Sequence, residues 1–306
     1  MGKQPPQKKK LWTIFNIILI CLCSLALGML LLTFKSSQSS NMTNNQDKKS
    51  SHRQSKNEAE SKKQAAPEKS SDISWIPQET EISVPILMYH AVHVMDPSEA
   101  ASANLIVDPS VFEEHIKRLA EEGYYFLSPE EAYKALTENS LPNNNAKIVW
   151  LTFDDGNADF YTVAYPILKK YQAKATNNII TDYVAKASPA NLTLDQMLEM
   201  KENGMSFQSH TVSHPNLAAS SPEKQAYELA EAKTYLDQTL SQDTIAIAYP
   251  SGKYNQTTLD TAKKSYKLGI TTNEGLASIG DGLLSLDRIR ILPTTTPENL
   301  LSTIQN

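Results

Sequence analysis

Two short segments of this chain carry residues that could do chemistry together. Leu151-Thr152-Phe153-Asp154-Asp155-Gly156 ends an apolar run with two adjacent carboxylates, and Ser209-His210-Thr211-Val212-Ser213-His214-Pro215 places two imidazoles four residues apart. They offer one carboxylate and two histidines to a metal ion, with a second carboxylate left over as a base. That is the set metal-assisted hydrolysis needs. Taken singly, each has an ordinary reading. Asp-Asp-Gly is common turn chemistry, and histidines four apart meet only in a helical or tightly turned segment. Together they are harder to assign to plain loops. Adjacent carboxylates leaving a strand also project in different directions, so one can bind metal while the other takes a proton from water.

Other candidates are less specific. His90 follows Pro85-Ile86-Leu87-Met88-Tyr89. At the end of a strand it could donate a proton near neutral pH, or simply be satisfied by hydrogen bonds. Tyr249-Pro250-Ser251-Gly252 reads as a rigid turn whose backbone N–H groups could stabilise an oxyanion, or as a plain loop. Arg288 and Arg290 alternate with Ile289 and Ile291. If the isoleucines face the core, the two arginines share the other face, with surface exposure as the default. Trp150 reads as core rather than a sugar-stacking platform, His93 as a loop residue, and His115 as a surface or packing residue of a helix.

These residues need elements to hold them. Strand-like runs fall at 83–89, 124–127, 147–153, 175–181, 205–209, 244–249, 268–272 and 287–292, separated by helical patterns. The clearest helix follows Asp108-Pro109, with Asp108 as cap, Phe112, Ile116 and Leu119 on one face, and Gly123 as stop. Ser128-Pro129-Glu130-Glu131 repeats the start signal. Pro222 to Leu240 reads as a long helix with Tyr227, Ala230, Leu236 and Leu240 as its apolar positions. Alternating strand and helix predicts an α/β fold with a parallel sheet. This number of strands suggests a closed, irregular barrel. His90, Asp154, Asp155, His210 and the Tyr249–Gly252 turn each fall at or just beyond the C-terminal end of a predicted strand, the rim where barrel enzymes keep their chemistry.

Composition bounds the rest. Residues 11–34 carry no charge and follow Lys8, Lys9 and Lys10. The run is long enough to cross a hydrocarbon core of about 30 Å, and the preceding lysines set residues 1–10 in the cytoplasm and the remainder outside. An uncleaved anchor is expected rather than a signal peptide, whose apolar core would be shorter and end in small residues. Residues 35–80 are rich in Ser, Asn, Gln, Lys and Glu and read as a disordered tether. The two cysteines, Cys21 and Cys23, both lie in the apolar run, so a metal in the domain at 81–306 must be held by nitrogen and oxygen. From residue 81 onward there are 17 Lys and Arg against 28 Asp and Glu, a net of −11. That argues against nucleic acid as a partner and fits a neutral or amine-bearing polymer.

At this point the residues resemble the polysaccharide deacetylases with the NodB-homology domain, carbohydrate esterase family 4. Thr152 to Gly156 matches the family motif T-F-D-D-G, and His210 to His214 matches H-[ST]-x-x-H. The resemblance covers about residues 83–292. It implies a distorted (β/α) barrel of seven to eight strands and a divalent metal, usually zinc, held by Asp155, His210 and His214. It implies Asp154 as general base. Three departures stand out. The third motif, usually R-P-P-Y-G, aligns as Ala248-Tyr249-Pro250-Ser251-Gly252, without the arginine that would orient the base. No histidine follows His214 to serve as the usual late acid. Ala175-Thr176 is followed by Asn177-Asn178 where aromatic residues are usual. The opening Met88-Tyr89-His90-Ala91-Val92 and the Y-P-x-G turn are instead similar to the branch acting on poly-N-acetylglucosamine exopolysaccharide, in which the opening histidine is the candidate acid. The resemblance therefore implies release of acetate from an N-acetylglucosamine polymer at the bacterial cell surface. His90 would protonate the leaving amine, and Ser251 and Tyr249 would contribute to oxyanion or substrate binding. Peptidoglycan as substrate, and a catalytically silent carbohydrate-binding protein on the same fold, are the competing expectations.

Overall fold

The computed structural model describes residues 73–305. The expected anchor at 11–34 and most of the tether at 35–80 lie outside the described residues. Among the described residues no helix is long and apolar enough to cross a membrane.

The runs rich in apolar and β-branched residues form seven barrel strands, numbered here in chain order: β1 Ile86–Tyr89, β2 Ile148–Phe153, β3 Ala175–Ile179, β4 Met205–Ser209, β5 Ala246–Ala248, β6 Leu268–Glu274 and β7 Leu286–Arg290. All are parallel in the order β1-β7-β6-β5-β4-β3-β2, and β1 pairs again with β2 to close the ring. The eighth candidate, around 124–127, becomes a two-residue strand, Tyr125–Phe126, that pairs only with β2 outside the ring. The barrel therefore has seven strands, within the expected range. Several strands are shorter than the sequence suggests. Val84, for example, leaves the ladder for an antiparallel bridge to Ala277.

Strand β2 is buried at every position, as a parallel strand with both faces covered should be. One face turns outward: Leu151 and Phe153 join Leu87, Tyr89, Phe207 and Ile289 against the surrounding helices. The other fills the barrel. Trp150 is fully buried, and its indole N–H donates to Thr176 Oγ1 at 2.7 Å, confirming it as core. The last strand alternates in the same way and corrects the expected exposure of Arg288. Leu286 and Arg288 turn into the barrel, Ile289 and Ile291 pack outward, and Arg288 is fully buried.

The helices follow their caps. Helix α1, Pro109–Glu121, begins at Asp108, whose carboxylate accepts from Ser110 N at 2.8 Å, and buries Phe112, Ile116 and Leu119. His115 is buried on the same face, beside Tyr89 Oη at 3.2 Å and Thr295 O at 2.8 Å. Helix α2, Pro129–Glu138, starts at Ser128 with a complete capping box. Helix α3, Pro222–Leu240, has the expected bounds and buries Leu236 and Leu240 as expected, but its first half turns a different face inward. Tyr227 is 51% exposed and Ala230 is exposed. Gln225 and Glu228 are buried instead: Gln225 donates to Ser220 O and accepts from Thr258 Oγ1, and Glu228 packs on a polar loop described below.

Candidate active site

Residues 148, 150, 152 and 154 share the inner face of β2 and its extension, which sends the Asp154 side chain into the barrel mouth. Asp154 N donates to Tyr89 O at 3.0 Å, continuing the ladder one residue past the strand. The chain then turns sharply: Asp155 has φ +78° and Gly156 φ +69°. Asp tolerates this left-handed region better than most residues, and at Gly156 a Cβ would also lie 3.2 Å from Ile179 Cδ1. The turn carries Asp155 away from Asp154, so the neighbouring carboxylates face different groups.

Asp155 meets the two histidines. Its Oδ1 lies 3.4 Å from His210 Nε2 and 3.6 Å from His214 Nε2. The three candidate ligand atoms lie within 4.8 Å of one another. His210 Nδ1 donates to Ala248 O at 2.7 Å, which leaves its Nε2 lone pair facing the carboxylate. A carbonyl on the far nitrogen is the outer partner a ligating histidine normally has. Three acceptor atoms converge here, and a cation satisfies all of them at once. Two nitrogens and one oxygen suit a borderline divalent ion such as zinc. Burial alone would lower the pKa of His210, but the neighbouring carboxylates of Asp155 and Asp154 outweigh it and raise the value. His214 is lowered, by burial first and by His210 second.

The loop that brings the histidines together is neither helix nor simple turn. Thr211 and His214 both have positive φ, +69° and +56°, and His214 N donates to Thr211 Oγ1 at 3.0 Å. Glu228 of α3 fastens the loop from beneath. Its Oε2 accepts from Val212 N and Ser213 N, each at 2.8 Å, and its Oε1 accepts from Ser213 Oγ at 2.6 Å. Glu228 is fully buried. Burial would raise its carboxyl, but Lys224 at 2.6 Å and the Ser213 bonds lower it. Nothing in the sequence marks Glu228, since an acid on a helix reads as solvent-facing.

Asp154 stays outside the converging set and belongs to Arg288. Arg288 Nη1 donates to Asp154 Oδ1 at 3.0 Å and to Thr152 Oγ1 at 3.1 Å, Nη2 donates to Oδ2 at 2.7 Å, and Nε donates to Thr271 O at 2.6 Å. Asn178 Nδ2 also donates to Oδ1, at 2.8 Å. Burial would push the Asp154 carboxyl up, and the Arg288 guanidinium overrides it, holding the group well below the usual carboxylate range. Two departures from the family motifs find their physical account here. The arginine absent from the third motif is supplied by the last strand, and the unusual Asn178 is a ligand of the same carboxylate. Oδ1 has both lone pairs occupied. Oδ2 keeps one open, and 4.0 Å from it lies His90 Nε2.

His90 thus joins the site. It sits just past the end of β1, with 15% of its side chain exposed. Burial lowers its pKa against the pull of Asp154 and Asp155. Tyr249 does not join the site. Its hydroxyl donates to Leu284 O at 2.9 Å, its N–H donates to Ile270 O at 3.2 Å, and its ring stacks on Tyr254 in a separate core cluster. Both of its polar groups are occupied inside the fold, so Tyr249 shapes the turn rather than binding substrate. Ser251 is exposed at the start of the loop beyond β5, with φ +52°.

Comparison with known proteins agrees with this geometry. A family model described as polysaccharide deacetylase matches residues 142–271. The chain is 40% identical over 221 residues to YxkH of Bacillus subtilis, named for the same family, covering 72% of this chain and 75% of that one. It is 33% identical over 184 residues to the poly-beta-1,6-N-acetyl-D-glucosamine N-deacetylase of Staphylococcus aureus, covering 56% of this chain and 62% of that one. Among solved structures, the Streptococcus pyogenes deacetylase PplD in complex with acetate superposes with a TM-score of 0.72 at 61% identity, over 74% of this chain and 100% of that chain. Two motifs on one barrel rim, a seven-stranded parallel barrel and these likenesses lead to one conclusion: the chain belongs to the polysaccharide deacetylase family.

Proposed function

We propose that the protein removes N-acetyl groups from N-acetylglucosamine units of a cell-envelope polymer by metal-dependent hydrolysis, with poly-N-acetylglucosamine as the first candidate. One observation carries the reading: Asp155, His210 and His214 converge as a ligand set, while Asp154 is held ionised beside them and outside the set. A silent binding module has no use for such a carboxylate.

Held by Asp155, His210 and His214, a divalent ion would supply Lewis acidity toward the acetamide and its attacking water. The remaining work falls to the chain. Asp154 Oδ2, the oxygen with an open lone pair, takes the proton of the water as its oxygen bonds to the acetyl carbon. His90 gives a proton to the sugar nitrogen as the C–N bond breaks, so that an amine rather than an amide anion leaves. Acetate and a glucosamine unit result. In this reading the backbone N–H of Ser251 faces the developing oxyanion. The Staphylococcus relative named for poly-beta-1,6-N-acetyl-D-glucosamine and the acetate held by PplD support the substrate class. The anchor and tether read from residues 11–34 and 35–80 suit an enzyme that works outside the membrane on a surface polymer.

The test is acetate release from purified poly-N-acetylglucosamine and from purified peptidoglycan, with and without a chelator. Release from the first, lost on chelation and restored by zinc, is expected. Faster release from peptidoglycan would reassign the polymer, and release unaffected by chelation would remove the metal from the mechanism.

The role of His90 has its own signature. His90→Gln should lower acetamide turnover by about 10²–10⁴-fold, with metal content unchanged. Hydrolysis of an activated aryl acetate should be nearly retained, because a phenolate leaves without a proton. An equal loss on both substrates would show that His90 acts elsewhere than on the leaving group.

A further inference from the structure

Both imidazoles of the ligand set stand on one loop, and that loop has an unfavourable backbone. Thr211 and His214 have φ of +69° and +56°. For a β-branched threonine the left-handed region is a strained conformation, and such a conformation persists only where the surroundings impose it. Two sets of contacts impose it here. Thr181 N and Asp182 N, at the start of the short helix Thr181–Ala185, donate to Thr211 O at 3.2 Å and to Val212 O at 3.0 Å. The other set ends on Glu228, whose two oxygens accept from Val212 N, Ser213 N and Ser213 Oγ. Every backbone N–H from His210 to His214 is engaged, and the two at the centre of the loop both go to this one carboxylate.

Glu228 is the only buried glutamate among the described residues. Its ion-pair partner, Lys224 at 2.6 Å, is 46% exposed, and a pair that reaches so far into water stabilises little. Burying a carboxylate in this way is unfavourable, and an apolar side chain of similar volume would serve the packing of α3 as well. An apolar side chain could not accept three hydrogens from one loop. The buried charge therefore answers to what the loop carries rather than to what the helix needs.

We propose that Glu228 is a positioning residue for the metal centre: by fixing the loop at Val212 and Ser213 it holds His210 and His214 ready to ligate, so that an ion meets two imidazoles already in place and binds more tightly. This rests on the reading of the site as a metal-dependent deacetylase. It adds that metal affinity is set from helix α3, by a residue outside the ligand set. Outer partners of metal ligands act in this way when they restrict the ligands before binding. Gln225, one turn earlier on the same helix, supplies the comparison. It is buried and polar too, but its bonds run to Ser220 O and Thr258 Oγ1 and none reaches the segment His210–His214.

The test measures, on the full chain, zinc affinity by competition with a chromogenic chelator, thermal unfolding of the metal-free protein, and acetate release at saturating zinc. Glu228→Gln keeps the size of the side chain but turns one acceptor into a donor that faces other donors. It should weaken zinc binding about 10–100-fold. Saturating zinc should restore most of the wild-type kcat, because no group that touches the substrate has changed. Glu228→Asp, which keeps the charge and falls one methylene short, should lie between; it carries the same comparison if Glu228→Gln does not fold. Gln225→Met should lower the thermal midpoint of the metal-free protein and leave zinc affinity where it was. Wild-type zinc affinity in both Glu228 variants overturns the proposal and leaves Glu228 a structural residue. An equal loss of affinity in Gln225→Met also overturns it, since the effect would then come from the helix and not from the carboxylate. A wild-type protein that binds no zinc and releases no acetate overturns the metal-dependent reading itself.

Discussion

Asp154→Asn should lower acetate release by about 10²–10⁴-fold while the protein keeps its full metal content. The ligand set Asp155, His210 and His214 does not include Asp154, so the variant loses a base and no ligand. The structure adds a cost that the sequence could not show. Arg288 is fully buried and its charge is met by Asp154. Asparagine offers one acceptor where the guanidinium meets two, and no charge. Removing one partner of a buried ion pair costs about 3–5 kcal/mol, so the thermal midpoint should fall as well. Lost activity and lost stability then need to be separated. The double variant Asp154→Asn/Arg288→Met replaces the pair with neutral groups, and such exchanges are often close to neutral for stability. It should regain most of the thermal midpoint and none of the turnover. Acetate release, metal analysis and thermal unfolding on the three proteins decide the matter. Wild-type turnover in the single variant, or recovered turnover in the double, would end the assignment of Asp154 as base.

What was legible in the sequence was chemistry written within a few residues. Thr152 to Gly156 and His210 to His214 state the ligand set and the spare carboxylate locally, and Asp108-Pro109 states where a helix begins. The alternation of strand and helix was enough to predict a barrel and to place these residues on one rim. What was not legible was pairing that only barrel closure creates. Arg288 lies 134 residues from Asp154 in the chain. Alternation along its strand shows two faces, but not that both are covered. Once β7 pairs with β1, the face holding Arg288 becomes the inside of the barrel and the default of exposure fails. Asn178 was hidden in the same way, since its partner sits on the neighbouring strand. Tyr249 failed in the opposite direction. Its place after a strand suggested the rim, but its side chain turns toward Leu284 and Tyr254, a direction set by packing rather than by spacing.

Arg288→Met tests that closure-dependent contact directly, and its largest effect should be on how activity and stability respond to pH. In the wild type the Asp154 carboxyl is held below its ordinary value, with Arg288 overriding the opposing effect of burial. A depressed folded-state value adds stability that is fully present above the ordinary carboxylate pKa and is lost as pH falls toward the folded value. Methionine removes the guanidinium and leaves burial, so the Asp154 carboxyl should rise; an opposite charge at this distance normally accounts for about 1–3 pH units. The acid limb of the acetate-release profile should move upward by a comparable amount, because the base must be unprotonated to work. The stability deficit against wild type, about 3–5 kcal/mol at neutral pH for an unpaired buried charge, should shrink as pH falls, since protonating Asp154 relieves the variant and penalises the wild type. Arg288→Lys should fall between the two, keeping the charge but losing the two-pronged contact and the bond to Thr271 O. A purely structural arginine would lower stability equally at every pH and leave the acid limb in place. An upward-shifted limb together with a pH-dependent deficit is the pattern expected if Arg288 keeps the base ionised.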